Sequence, residues 1–78
     1  MSDTKNHYFE VFYIGRQTGW VAVERDEEGN QVGDGMFSYH KGSALTDAIT
    51  KAGPSRSVLV YNIHGALLKT LQPREEAA

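Results

Sequence analysis

The segment His7 to Ile14, HYFEVFYI, constrains this chain more than any other. It is dense in aromatic and β-branched residues, as strands are, and Gly15 closes it. Alternate side chains of a strand go to opposite faces, so Phe9, Val11 and Tyr13 fall on one side and Tyr8, Glu10, Phe12 and Ile14 on the other. Both sets are largely apolar. The fold must therefore cover two faces of this strand, and a large apolar patch left open marks an interaction site.

The chain has little material with which to do so. At 78 residues it buries a smaller fraction of its surface than a larger domain does, and it has no cysteine for a disulfide, a thiolate zinc site or a thiol nucleophile. Small domains without such staples often self-associate, which makes a homodimer or another protein the expected partner. Eight basic and ten acidic residues give a formal charge of −2, which disfavours electrostatically driven duplex binding. Met1 to Asn6 is polar with no apolar run behind it, the pattern of a flexible terminus and neither a secretory signal nor a membrane anchor. A cytoplasmic protein is expected, with a single domain over residues 7–72 and a disordered tail over 73–78.

After the first strand, GRQTG is a glycine-bounded turn and Trp20 to Arg25 (WVAVER) a second strand in a hairpin. DEEGN is turn chemistry, and a third strand runs from Gln31 to Tyr39, with Gly33 and Gly35 predicting a bulge or twisted edge. Leu45, Ala48, Ile49 and Ala52 have the spacing of one helical stripe, with Ser43 as its N-cap and Gly53-Pro54 as its stop. So short a helix needs a sheet to dock on. Ser57 to Ile63 and Ala66 to Leu71 read as two further strands joined at His64-Gly65. The order β-β-β-α-β-β implies an α+β fold, an antiparallel sheet with one helix on one face. If Phe9, Val11 and Tyr13 face the helix, the free face carries Tyr8, Phe12 and Ile14, and the expected phase of the second strand adds Trp20 to them. Glu10 and Glu24 join that face, with His40 a further candidate and the C-terminal hairpin a possible partial cover.

The strand YFEVF, the lone Trp20, the DEEGN turn and FSYHKGSALTDAI resemble the small bacterial YegP-type family of uncharacterised proteins. VLVYNIHGALLK is similar to a second bacterial family, in which a tryptophan hairpin and a helix precede a strand, an Asp-Gly-like turn and a last short strand. Together these cover Tyr8 to Leu71, although the helix is shorter than in the second family and His64-Gly65 stands where Asp-Gly is usual. The resemblance implies the element order and supplies no catalytic residue.

Candidate chemistry is sparse. His7, His40 and His64 with Ser38, Ser43 and Asp47 show no GxSxG, HExxH or other fixed spacing, so neither an enzyme, a metal site nor a cofactor is expected. His40 and Lys41 could hold an anion at the helix start, although a polar capping loop is the plainer account. GNQVGDG does not match a phosphate loop, and ERDEE reads as a solvated turn. The expected function is a non-enzymatic interaction module that self-associates through Tyr8, Phe12 and Trp20. The alternative is single-stranded nucleic-acid binding, with those aromatics as stacking platforms and Arg16, Lys41, Lys51, Arg56 and Lys69 as backbone contacts.

Overall fold

A computed structural model describes residues 6–72; the expected tail and the first five residues of the expected flexible terminus lie outside them. Five strands and one helix follow in the order β1 (Tyr8–Gly15), β2 (Gly19–Arg25), β3 (Gln31–Ser38), α1 (Lys41–Ala52), β4 (Val58–Tyr61) and β5 (Leu67–Leu71). This is the α+β arrangement expected. The sheet order is β3-β2-β1-β4-β5.

One feature of the sheet differs from the expectation of purely antiparallel pairing. β4 lies beside β1 and parallel to it, with Phe9 opposite Val58 and Val11 opposite Val60, so the sheet is mixed. The cause is the connection. β1 and β3 run the same way in the meander, and a single helix carries the chain back to the end of the sheet where both begin. The next strand must then run in their direction. The C-terminal hairpin thus extends the sheet at its β1 edge and covers neither face.

The turn between β1 and β2 requires glycine at position 19. A Cβ there would stand 2.5 Å from the Ser38 carbonyl oxygen and 2.7 Å from the Tyr39 Cα, and φ is +87°. The predicted irregularity in β3 is present, since Ala22 pairs with Met36 and Glu24 with Val32, three residues of β3 being spent against one of β2. β3 is an edge strand, where such a bulge also discourages pairing with another chain. In the DEEGN turn, the Asp26 carboxylate accepts backbone N–H bonds from Asn30 at 2.9 Å and Glu28 at 3.0 Å. The Asn30 amide, more than any other group, holds the Asp26 carboxyl below its ordinary value of 3.8.

α1 begins two residues before the predicted cap. His40 is the N-cap residue, without a side-chain cap bond, and Ser43 lies inside the helix. The Ser38 hydroxyl accepts the His40 N–H at 3.3 Å, which turns the chain early, and the His40 carbonyl accepts the Ala44 N–H at 3.2 Å. The helix stops at Gly53 as expected, where Arg56 donates to the carbonyls of Ala52 and Lys51 at 3.1 and 2.9 Å. Its buried line is Ala44, Ala48 and Ala52, with Leu45 and Ile49 only flanking the core. Three small residues let α1 lie close to the sheet, whose Phe9, Val11, Trp20, Ala22, Val58 and Val60 complete the core.

Trp20 therefore belongs to the covered face, contrary to the expectation that placed it beside Tyr8 and Phe12. It is 8% exposed, its ring centroid 5.3 Å from that of Tyr13 and 5.5 Å from Lys41 Nζ. The reason is register. Tyr13 pairs with Trp20 and Phe12 with Val21, and paired residues share a face. A phase error of one residue reverses every side chain of a strand. Glu24 moves with Trp20 to the helix side, where its carboxylate lies 2.6 Å from His7 Nδ1 and 3.8 Å from Arg56 Nη1.

Candidate interaction surface

The helix packs on β1, β2, β3 and β4 and not on β5. The thinnest dimension of the molecule is 19 Å, the depth of one helix laid on one sheet. Among the described residues, nothing covers the other side of the sheet.

That free face is built by pairing. Tyr8 pairs with Arg25, Glu10 with Val23 and Phe12 with Val21; Val21 pairs with Phe37; and Glu10 pairs with Leu59. Leu59 in turn pairs with Thr70 and Tyr61 with Leu67. Tyr8 and Phe12 thus lie where the sequence placed them, joined by Ile14, while Val21, Val23, Arg25, Phe37, Leu59 and Tyr61 were missed.

Polar groups cross this face in one diagonal row. Arg25 on β2 donates through Nε to Glu10 Oε1 on β1 at 2.7 Å, and the Tyr61 hydroxyl on β4 donates to Glu10 Oε2 at 2.7 Å. Each carboxylate oxygen has a partner and the ion pair is internally neutral. The bond to Glu10 raises the Tyr61 phenol to about 12, with burial and the Glu10 charge adding to the shift.

On one side of the row lies a triangle without a charged side chain: Val23 and Val21 on β2, Phe12 and Ile14 on β1, and Phe37 on β3. Val21 and Val23 are each 3% exposed although no helix lies over them. Gly35 explains this, since a Cβ there would stand 2.7 Å from Val21 Cγ2, 3.3 Å from Val23 Cγ1 and 3.6 Å from Phe37 Cζ. Valine methyls and the phenylalanine ring occupy the space that a side chain would fill. Phe37 itself is 62% exposed. On the other side of the row are Tyr8, Leu59, Thr70 and Leu67.

The remaining candidates do not converge on this face. Arg16 is exposed in the turn between β1 and β2, His40 precedes α1, and Lys41 lies over Trp20. Of the other cations proposed for a nucleic acid, Lys51 is in the last turn of α1, Arg56 caps that helix, and Lys69 pairs with Val60, a residue of the covered face. Among the described residues, Arg25 alone of the arginines and lysines belongs to the free face, and it is engaged by Glu10.

His7 is joined to Glu24, His40 sits before α1, and His64 lies in the turn between β4 and β5. No group of three His, Asp or Glu side chains suited to a metal gathers among the described residues. An open concavity of about 620 Å³ is lined by His7, Arg56 and Ser57 together with Tyr8, Leu59 and Thr70 of the free face. Its Arg56 is committed to the helix carbonyls, and every buried side-chain polar atom among the described residues has a partner. No helix among the described residues is long and apolar enough to cross a membrane.

No family model matches the chain, and neither a curated protein nor a solved structure matches it.

Proposed function

We propose that this protein is a non-enzymatic interaction module that binds a second copy of itself through the helix-free face of its sheet. The observation that supports this reading most is the open apolar surface at Phe37 and Ile14, beside the half-buried Phe12, bordered by an ion pair neutralised within the chain. An apolar face gains by leaving water at roughly 25 cal/mol per Å². A face with no net charge offers no electrostatic preference for a charged partner and does not repel its own copy. Aromatic anchors are typical of such contacts.

Light scattering across a dilution series tests the proposal. The wild type is expected to exceed the single-chain mass of 8.7 kDa and to approach it on dilution. Phe37→Asp, made at an exposed position, is expected to stay at one chain throughout. A wild type that remains a single chain at every concentration contradicts the reading. Binding of a labelled single-stranded oligonucleotide by that monomer, lost in Phe37→Asp, would establish nucleic-acid binding in its place.

A further inference from the structure

The helix side of the sheet holds a second kind of surface, one that does not depend on self-association. α1 packs on β1 to β4 and not on β5, so β5 carries the sheet past the layer that covers it. Leu71 pairs with the buried Val58 and so shares the covered face. Between Leu71 and Ile49, on the flank of α1, lies a cleft of about 420 Å³, lined also by Val58, Arg56 and Gln72. Small-molecule sites span roughly 300–1,000 Å³. We infer that this cleft binds a small amphipathic anion, with its apolar body between Ile49, Val58 and Leu71 and its carboxylate at Arg56.

The body follows from the walls. Ile49 and Leu71 pack against the core but are only half-buried. An apolar group placed between them removes their remaining apolar surface from water, which is favourable in proportion to the area covered.

The charge of the head follows from the polar end. Arg56 and Gln72 line both this cleft and the concavity at the end of the sheet that holds His7 and Ser57. Among the described residues no Asp or Glu lines either one, in a chain with more acids than bases. Arg56 is also fixed in place. Its Nε and Nη2 donate to the carbonyls of Ala52 and Lys51, and its guanidinium lies 5.6 Å from the centre of the Phe9 ring. Nη1 has no hydrogen-bond partner among the described residues: Glu24 Oε2 is 3.8 Å away and is already 2.6 Å from His7 Nδ1. A guanidinium held by two nitrogens loses little freedom when the third takes a carboxylate, and charge-assisted bonds of this kind are stronger than neutral ones. The Gln72 amide supplies a second donor.

Nuclear magnetic resonance of the full chain titrated with octanoate, below the concentration at which it forms micelles, tests the inference. The methyl signals of Ile49, Val58 and Leu71 are expected to shift saturably. Acetate, a head without a body, is expected to leave them in place, and 1-octanol, a body without the charge, to bind about ten-fold more weakly. Ile49→Trp, whose ring fills the cleft, is expected to abolish the saturable shift. Arg56→Gln is expected to weaken octanoate about ten-fold and leave 1-octanol unchanged, whereas a variant that merely loosened the fold would weaken both. Octanol binding as tightly as octanoate would overturn the anionic head. Signals that do not saturate, or that move at Phe12, Ile14 and Phe37 and not at the cleft, would overturn the site.

Discussion

The two faces of β1 are made from the same eight residues and have opposite fates. Phe9 and Val11 are 2% and 0% exposed beneath α1, whereas Phe12 and Ile14, on the opposite face, have no second layer over them among the described residues. Apolar content does not distinguish them. Among the described residues, only the covered face has a complementary layer, a helix whose Ala44, Ala48 and Ala52 allow close approach. Composition thus says that a face needs cover, and small residues at helical spacing say which face this chain can cover for itself.

The sharpest break in that comparison is a substitution on the covered side. Trp20→Ala removes a ring enclosed by the core and is expected to cost about 3–5 kcal/mol, measured by denaturant unfolding. Had Trp20 lain on the free face, the same change would cost far less. An intermediate effect belongs to the polar row. Glu10→Gln weakens the bond to Arg25 and that to Tyr61, and is expected to cost about 1–3 kcal/mol in the same assay.

The free face gives a smaller stability effect and a larger functional one. Phe37→Asp is expected to change the stability of the single chain by no more than about 0.5 kcal/mol, as surface substitutions usually do. It is nonetheless expected to abolish association.

Two titrations should move stability least. The Tyr61 phenol is raised from 10.0 to about 12, so the fold favours its protonated form. That contribution is complete below pH 10 and is lost as the pH rises through 12. Spectrophotometric titration should show a late tyrosine that Tyr61→Phe removes. Asp26 has the opposite sign. Its carboxyl is depressed below 3.8, so its contribution is present above that pH and lost as the pH falls through the lower value of the folded state. The stability difference between wild type and Asp26→Ala should therefore shrink on acidification.

Much of the fold was legible because local chemistry and tertiary structure agree. The aromatic β1, the glycine-bounded turns, the bulged β3 and the Gly53 stop all follow from residues near in sequence. The parallel pairing of β4 with β1 did not, because a crossover is settled by where the helix returns the chain. The free face was half legible. Tyr8 and Phe12 follow from β1 alone, but the partners on β2 depend on the register of a turn that spans Gly15 to Gly19. A guide to the true phase existed in WVAVER. Its set Val21, Val23, Arg25 can leave a charged tip in water, whereas the set Trp20, Ala22, Glu24 contains the chain's lone tryptophan, a residue that is highly buried on average. Phe37 was hidden by Gly33 and Gly35, which break the alternation just before it.

Thermal unfolding of the wild type and Phe37→Asp over a range of protein concentrations tests the central claim most directly, because partner binding stabilises only the folded state. The wild-type midpoint should climb with concentration, while that of Phe37→Asp should stay near the dilute wild-type value. A wild-type midpoint that does not change with concentration would contradict the assignment of the free face as a self-association surface.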